Sequence, residues 1–175
     1  MTLNTVLSGK NIPEDIYVII EISAHSNPIK YEVNKDLGLL FVDRFIPVPM
    51  FYPCNYGFIN KTKSNDGDPL DVLVHTPYPI LPGSIIRCKP IGVLNMFDES
   101  GEDYKIIAIP HPKVCLEYSS INDICHLSPT LKQQIIHFFK HYKNLENNKW
   151  VKIIGWENKK NAEKIILSAC EKFHK

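Results

Sequence analysis

Three aspartates lie within six residues of one another in the segment SNDGDPLDVLV (64–74), namely Asp66, Asp68 and Asp71. They surround a Gly-Asp-Pro turn that leads into an apolar stretch typical of a strand. Carboxylates this close repel one another, and removing one from water without a partner costs several kcal/mol. A bound divalent cation relieves both penalties, and a solvated acidic turn is the simpler alternative. An EF-hand does not fit, because Asp71 and Pro77 stand where it needs Gly and Glu.

A second acidic segment is NMFDESGEDYKIIAI (95–109). Two apolar strands are predicted to flank a tight turn, with Asp98 and Asp103 at its shoulders and facing each other across a hairpin. Like charges directly opposite are destabilising. Lys105 follows Asp103 by two residues and is expected on the same face of the strand. In isolation this is a charged hairpin tip. Together with the first cluster it predicts the other half of an oxygen-rich metal site.

Further charged residues fall in extended segments nearer the start of the chain. Glu21 ends a largely apolar strand, and Lys30 and Glu32 share one face of the next extended piece. Arg44 alternates with apolar residues and therefore lies on an otherwise apolar face. A charge in that position is either paired or functional, and simple Arg–Glu pairing is the alternative to a binding role.

Tyrosines accompany these charges. Tyr52 and Tyr56 flank a predicted turn that contains Pro53, Asn55 and Gly57. They are either core aromatics or hydroxyl donors beside a bound phosphate. In the C-terminal third, Tyr142 lies on an apolar helical stripe and is followed by Lys143, and the same two interpretations apply to that tyrosine.

The charges of these groups, if they converge, constrain the ligand. Seven carboxylates and four cations give a net charge of −3: Glu21, Glu32, Asp66, Asp68, Asp71, Asp98 and Asp103 against Lys30, Arg44, Lys105 and Lys143. Carboxylate oxygens favour Mg²⁺ or Mn²⁺ over thiophilic metals. Four cations are too many for metal storage and suit an anion such as phosphate. The combination indicates metal-assisted phosphoryl transfer to water.

The elements that must position these groups divide the chain into two parts. The first two-thirds reads as short strands separated by turns and proline-rich breaks, which is typical of a β-barrel or sandwich. The predicted strands are 16–22, 38–45, 70–74, 84–88, 91–97 and 104–109. In the last third the hydrophobic period becomes helical. We therefore predict one α+β domain over residues 1–175, with a β-barrel core and two main helices.

The helical part has a clear beginning. Ser128 at the N-cap and Pro129 at the first helical position predict a helix start. The stripe that follows consists of Leu131, Ile135, Phe138, Tyr142 and Leu145. A strand is predicted at 150–156. A terminal helix is marked by Ala162, Ile165, Ile166, Ala169 and Phe173.

Composition excludes several classes of protein. With 44% hydrophobic and 22% charged residues in 175, the chain is not expected to be disordered. A formal net charge of +1 provides no basic field for nucleic acid, and no apolar run reaches the ~20 residues of a membrane span. There is no secretory signal pattern, and five cysteines without CxxC spacing favour reduced thiols. We expect a cytoplasmic protein without nucleic-acid or membrane partners.

Taken together, the motifs closely resemble the soluble family I inorganic pyrophosphatases of the bacterial type, from about Leu7 to about residue 172. The most specific match is DGDPLDVLV (66–74), the family's Asp-(Ser/Gly/Asn)-Asp-Pro-x-Asp signature. Other segments similar to the family are IPEDIYVIIEI, NPIKYE, FVDRF, MFYPCNYGFI, PYPILPGSIIRC, GEDYKI, HFFKHYK and KWVKIIGW. The resemblance implies a five-stranded OB-like barrel with flanking helices. It also implies hydrolysis of pyrophosphate to two phosphates with several Mg²⁺ ions, for which Mn²⁺ or Zn²⁺ can substitute.

The resemblance assigns a role to each candidate. By that analogy, Asp66, Asp71 and Asp103 hold a first metal, and Asp71 also contacts a second. Asp98 and Asp103 serve a third, with Glu21 and Glu32 helping directly or through water. Asp68 is the implied general base. The implied phosphate contacts are Lys30, Arg44, Tyr56, Lys105, Tyr142 and Lys143, with Tyr52 lining the same pocket; of these, Arg44, Tyr56 and Lys143 are expected to act in catalysis.

Two other functions are weighed against this one. An OB-like barrel with Tyr, Phe and Lys on one face could bind single-stranded nucleic acid, but the acidic cluster would repel a phosphate backbone. A nucleoside polyphosphate could replace pyrophosphate, but the sequence shows no base-stacking pocket. The resemblance also implies a homohexamer, for which His137 and His141, one helical turn apart, are candidate interface residues.

Overall fold

The computed structural model describes residues 3–174, which form nine strands and two α-helices together with two short 3₁₀ turns. The strands are β1 (Gly9–Asn11), β2 (Asp15–Ile22), β3 (Ile29–Asn34), β4 (Leu39–Phe45), β5 (Asn55–Ile59), β6 (Leu70–Val74), β7 (Ile85–Asp98), β8 (Gly101–Pro110) and β9 (Val151–Asn158). The helices are α1 (Pro129–His141) and α2 (Lys159–Phe173). No helix within this range is long and apolar enough to cross a membrane.

Five of the described strands close a ring of backbone pairings. β2 pairs with β5, β5 with β6, β6 with β8, β8 with β7, and β7 returns to β2. Only the β6–β8 contact is parallel; the other four are antiparallel. β1 extends the sheet beside β2, and β9 lies along β7. The predicted OB-like core of five strands with two main helices is confirmed.

Both faces of the ring are buried, because a helix covers each. Successive residues of a strand point to opposite faces. In β6, Val72 and Val74 join the apolar cluster that includes residues of α2, whereas Leu73 joins the cluster that includes residues of α1. This explains why LDVLV (70–74) is apolar throughout except at Asp71.

The α1 helix begins as predicted, with Ser128 at the N-cap and Pro129 at the first helical position. It ends at His141, so Tyr142 is its C-cap residue. Including Leu145 in the helical stripe was wrong, because the chain turns after Tyr142 and the Leu145 side chain is 66% exposed. The terminal helix is confirmed as α2, and its first turn is capped by the Asn158 side chain.

Two predictions about strands also need correction. The segment around Gly57 is the strand β5 rather than a turn. Glycine is needed there because a Cβ would lie only 1.9 Å from the backbone oxygen of Ile19. In addition, 84–88 and 91–97 form a single strand, β7, since a register shift between Pro90 and Gly92 absorbs the proline without breaking the strand.

β3 and β4 form a hairpin that is separate from the ring. Its residues are half-buried or exposed, whereas those of β5 are all buried. The hairpin nevertheless carries Lys30, Glu32 and Arg44. Exposed apolar side chains follow its tip and outer strand, namely Leu37, Leu39, Leu40, Phe41, Val42 and Phe45.

Candidate active site

All fourteen residues singled out in the sequence line one cavity of about 250 Å³. They come from β2, the β3–β4 hairpin, β5, β6, β7, β8 and segments outside these strands, including the end of α1. The residues are Glu21, Lys30, Glu32, Arg44, Tyr52, Tyr56, Asp66, Asp68, Asp71, Asp98, Asp103, Lys105, Tyr142 and Lys143. The tertiary structure therefore brings together every group that the sequence argument required to converge.

The floor of the cavity is a lysine between two aspartates. The parallel β6–β8 pairing places Asp71 beside Lys105. The Lys105 ammonium donates to Asp71 Oδ2 at 2.5 Å and lies 2.8 Å from Asp103 Oδ1. Asp103 and Lys105 are two residues apart on one face of β8, as predicted. One cation thus serves two carboxylates.

Burial and charge act in opposite directions on this trio. Burial disfavours the Lys105 ammonium, but Asp103 and Asp71 outweigh it and hold the pKa of Lys105 well above its ordinary value. Burial raises the pKa of Asp103, which Lys105 opposes and Asp71 reinforces. Lys105 therefore stays charged. Because two carboxylates share this one ammonium, this corner of the cavity can still attract a further cation.

Aromatic rings form the wall above the floor. The Tyr52 ring lies 5.0 Å from that of Tyr56 and 4.5 Å from that of Phe138, measured between centroids. The Lys105 ammonium donates to the Tyr56 hydroxyl at 3.4 Å. Burial raises the pKa of Tyr52, Tyr56 and Tyr142. All three phenols therefore keep their protons at neutral pH and can donate hydrogen bonds to an anion.

The β7–β8 hairpin supplies Asp98 at the cavity edge. Its register pairs Asp98 with Gly101, and Asp103 with Met96. The expectation that the two aspartates face each other across the hairpin was wrong. The reason is that Glu99 and Ser100 alone form the turn, which places Asp98 at the end of its strand. Asp98 Oδ2 instead accepts a hydrogen bond from the Lys143 ammonium at 2.8 Å.

Hydrogen bonds within residues 64–68 hold the acidic turn in place. Asp66 Oδ1 accepts a hydrogen bond from the Asp68 amide at 2.9 Å, and the Asp68 carbonyl accepts one from the Ser64 amide at 2.7 Å. Gly67 has φ +94°, a left-handed conformation that glycine adopts without strain. The Asp68 carboxylate is 74% exposed and forms an ion pair with Lys35 at 2.9 Å. It is therefore aimed into the open part of the cavity.

Glu21 lies at the end of β2, buried against the hairpin. Its Oε1 accepts a hydrogen bond from the Val33 amide at 2.7 Å. Burial raises the pKa of Glu21 to about 8, which the Val33 bond opposes and the neighbouring carboxylates Asp71 and Glu32 reinforce. In the absence of a cation Glu21 is therefore largely protonated at neutral pH.

The β3–β4 hairpin contributes a chain of ion pairs to the rim. Lys30 contacts Glu32 and lies 3.5 Å from Asp43. Arg44 pairs with Asp43 at 2.6 Å and with Glu146 at 3.3 Å. The Arg–Glu alternative raised by the sequence is therefore also present in the structure. Pairing and binding are compatible here because the Arg44 side chain still lines the cavity.

The donor set fits a hard divalent cation. Eight carboxylates and six basic side chains line the cavity, a net charge of −2. Among the described residues, no three carboxylate, imidazole or thiol groups are arranged to hold a metal as the side chains stand. Lysines hold these positions: Lys105 bridges Asp71 and Asp103, and Lys143 contacts Asp98. Carboxylate oxygens are the ligands that Mg²⁺ prefers, and a cation already lies between two of them.

The cavity also contains charged residues that the sequence argument missed: Lys35, Glu99 and Lys149. The Glu99 carboxylate pairs with Lys149 at 2.5 Å and with Lys143 at 3.3 Å. Burial opposes its charge, but these pairs prevail and lower the pKa of Glu99 to about 2. Its position beside Asp98 at a hairpin tip is a signal that could have identified it. Lys149 begins the family-like segment KWVKIIGW, which could have identified it, whereas Lys35 lies in the turn between β3 and β4 and only the fold reveals it.

Comparison with known proteins gives consistent results over the whole chain. The family described as "Inorganic pyrophosphatase" matches residues 18–174, a range that includes every residue lining the cavity. An inorganic pyrophosphatase of Vibrio cholerae is 59% identical over 172 residues, covering 98% of each chain. One from Buchnera aphidicola of Acyrthosiphon pisum is 62% identical over 175 residues, covering 100% of this chain and 96% of the relative.

Solved structures give the same result. The structure of an inorganic pyrophosphatase from Coxiella burnetii superposes with a TM-score of 0.93 at 49% sequence identity. The alignment covers 96% of this chain and 99% of that chain. The likeness therefore extends to the ring of strands, both helices and the separate hairpin.

Proposed function

This chain belongs to the inorganic pyrophosphatase family and is a hydrolase; from that premise we propose that its cavity hydrolyses pyrophosphate to two phosphates with the help of bound Mg²⁺. The observation that carries the proposal is the convergence of carboxylates, basic side chains and tyrosine hydroxyls in one cavity. Carboxylates alone would suit metal storage, and basic groups alone would suit anion binding. Their combination suits a metal complex of a polyanion.

The metal-binding part of the proposal assigns Mg²⁺ to the carboxylates. Asp66, Asp71, Asp98 and Asp103 would hold the ions, and Glu21 and Glu32 would help directly or through water; Mn²⁺ or Zn²⁺ can take their place. When bound, Mg²⁺ would neutralise the polyanion and make an attacking water more acidic. A cation held nearby would favour the ionised form of Glu21, against the burial that raises its pKa.

The chain's own residues then divide the remaining work. Asp68, exposed to the open cavity, would orient the attacking water and accept its proton. Lys30, Tyr56 and Lys105 would hold the phosphate under attack, with Tyr52 lining the same wall. Arg44, Tyr142 and Lys143 would stabilise the charge that develops on the departing phosphate, which is a preorganised electrostatic effect. One water adds across the P–O–P bridge, so that the two products are both orthophosphate.

The experiment is phosphate release at neutral pH from pyrophosphate and, separately, from ATP. We expect rapid release from pyrophosphate that requires Mg²⁺, stops with excess EDTA and returns when Mg²⁺ is added back. Release from ATP should be far slower, because the cavity is small, about 250 Å³, and its lining consists mostly of charged side chains that suit a compact polyanion. Full activity in EDTA would refute the metal mechanism, and preference for ATP would favour the nucleoside polyphosphate alternative.

We further propose that the protein is a cytoplasmic homohexamer. All five cysteines are free thiols, which suits a reducing compartment. A groove of about 390 Å³ beside α1 is lined by Met50, Phe51 and Phe138 together with the exposed His137. The His137 and His141 rings lie 4.6 Å apart on the same helix face. A second copy of this chain would cover the exposed Phe51 and the half-buried Met50.

Light scattering at micromolar concentration tests the assembly. We expect a mass six times that of the chain, and His137→Asp should reduce it by placing a carboxylate in the contact. The exposed Lys140→Gln on the same helix is a suitable neighbouring control. A monomer mass for the unmodified protein would contradict the proposal.

A further inference from the structure

Glu99 occupies an unusual position for a carboxylate at a hairpin tip. It lies in the two-residue turn between β7 and β8 and lines the cavity. Its Oε1 accepts hydrogen bonds from the Lys149 ammonium at 2.5 Å and from the Lys143 ammonium at 3.3 Å. Its Oε2 is buried and has no hydrogen-bond partner. One oxygen thus serves two cations while the other is unpaired, an arrangement that a purely structural ion pair does not require.

Lys143 depends on such contacts for its position. It lies just beyond the end of α1, in a segment of successive turns rather than in a regular element. Its ammonium has two carboxylate partners, Asp98 Oδ2 at 2.8 Å and Glu99 Oε1 at 3.3 Å. If Asp98 becomes a ligand of Mg²⁺, its hold on Lys143 weakens, because the metal competes for the same oxygens. Glu99 is then the remaining anionic anchor.

Lys149, at the far end of the segment 143–149, contacts the same Glu99 oxygen as Lys143 does. Its side chain is 42% exposed, and its ammonium contacts Glu99 Oε1. Glu99 therefore connects the two ends of the segment from Lys143 to Lys149. This contact restricts how far Lys143 can move when the cavity fills.

We propose that Glu99 is a positioning residue for hydrolysis: it holds Lys143 and Lys149 at the edge of the cavity, so that the Lys143 ammonium stays aimed at the departing phosphate while Asp98 binds metal. The inference rests on the proposed function and adds to it a residue that acts through Lys143. Glu99 itself need not touch the substrate. Its effect on the rate should therefore vanish when Lys143 is absent.

The first test compares Glu99→Gln with Glu117→Gln, a matched change at an exposed glutamate outside the cavity. Glutamine keeps the size of the side chain and removes the charge. We expect kcat for Glu99→Gln to fall about tenfold, as misplacement of a reacting group by a fraction of an ångström does, with KM changed by less than about threefold. Glu117→Gln should behave as wild type. Equal kcat values for the two variants would overturn the proposal.

A conservative variant separates position from charge. Glu99→Asp retains the carboxylate but is one methylene shorter, so it cannot reach both ammonium groups at the observed distances. We expect it to remain impaired by at least about fivefold in kcat. Full recovery would mean that the charge alone matters and would contradict a positioning role.

The decisive measurement is a double-mutant cycle with Lys143→Gln. If Glu99 acts through Lys143, the pair Glu99→Gln/Lys143→Gln should have the kcat of Lys143→Gln alone, within about twofold. Multiplication of the two separate losses would overturn the proposal.

Thermal unfolding and a second variant keep the result interpretable. We expect Glu99→Gln to unfold at a temperature close to that of Glu117→Gln. If Glu99→Gln does not fold, Lys149→Gln removes the contact with Glu99 from the lysine side. It should lower kcat about threefold, whereas the exposed Lys140→Gln should not change kcat. A wild-type kcat for Lys149→Gln would then overturn the proposal.

Two results separate this inference from the proposed function. Absence of pyrophosphate turnover in the wild type would contradict the proposed function itself. Turnover in the wild type with an unimpaired Glu99→Gln would contradict this inference alone.

Discussion

Among the described residues, ion pairs form both inside the cavity and away from it, and the two arrangements are built differently. Away from the cavity, Asp15 on β2 meets Arg87 on β7. Arg87 Nε donates to Asp15 Oδ1 at 2.8 Å and Nη2 donates to Oδ2 at 2.5 Å. This is a bidentate pair in which both oxygens of the carboxylate accept from one guanidinium, and the His111 ring lies 3.9 Å from Asp15 Oδ2. In the cavity, by contrast, charged groups are shared: Lys105 pairs with two aspartates, and the Glu99 carboxylate pairs with two lysines.

The difference distinguishes a structural ion pair from a site that accepts ligands. A bidentate pair satisfies its own hydrogen-bonding groups and has no affinity left for another ion. Carboxylates that outnumber the cations around them can exchange a lysine for a metal ion. The cavity has that excess and the Asp15–Arg87 pair does not. Substitutions in the cavity should therefore affect turnover most, and substitutions in the Asp15–Arg87 pair should affect stability alone.

Asp68→Asn should abolish turnover almost completely. Asparagine preserves the shape of the side chain but cannot accept a proton, and removal of a general base costs up to about 10⁴-fold in kcat. Because the Asp68 side chain is 74% exposed, the free energy of unfolding should not change. Phosphate release and thermal unfolding measured side by side check both expectations. Turnover close to that of wild type would remove Asp68 from the role of base.

Lys105→Gln should impair both turnover and stability. Its removal leaves Asp71 and Asp103 close together without their shared cation. We expect kcat to fall about 100-fold and the free energy of unfolding in EDTA to fall by about 3 kcal/mol. Added Mg²⁺ should restore much of the lost stability, because it neutralises the same carboxylates.

Urea unfolding with and without Mg²⁺ measures this recovery. The exposed Lys140→Gln is the control and should unfold as wild type under both conditions. If Lys105→Gln is as stable as that control in EDTA, Lys105 does not have the structural role that its burial and its two ion pairs indicate.

Asp15→Asn should have the smallest effect on turnover, less than about twofold, because the pair lies outside the cavity. Its effect is on stability and depends on pH. The hydrogen bonds from Arg87 lower the pKa of Asp15 below its ordinary value of 3.8, despite burial. The stabilisation is therefore fully present above the ordinary value and is lost as pH falls through the lowered one.

The variant and the wild type should differ in their urea midpoints at pH 7 and converge at pH values well below 3.8. A gap that persisted in strong acid would show that the pair stabilises the fold through its shape rather than through its charge. A loss of turnover would show that the Asp15–Arg87 pair and the cavity are coupled, so that the pair is not purely structural.

Local chemistry made much of the site predictable. The aspartates of 66–71 could be recognised from the sequence, because three carboxylates so close together repel one another unless a cation is bound. Ser128 followed by Pro129 marks a helix start because both residues act through the backbone of their own turn. Predictions failed where a distant segment decided the outcome. Gly57 belongs to a strand because β2 approaches its backbone closely, and Leu145 lies outside the helical stripe because the chain turns after Tyr142.

By itself, the sequence determined which groups are available for the chemistry: a carboxylate cluster, basic side chains and tyrosines, at spacings that resemble one family. Only the tertiary structure decided how they are paired and ionised. Asp71 and Lys105 are 34 residues apart and meet through the parallel β6–β8 ladder. The pKa of Glu21 and the two lysine contacts of Glu99 follow from burial and from distances of a few ångströms. Such quantities depend on long-range strand pairing, which the order of residues along one segment does not contain.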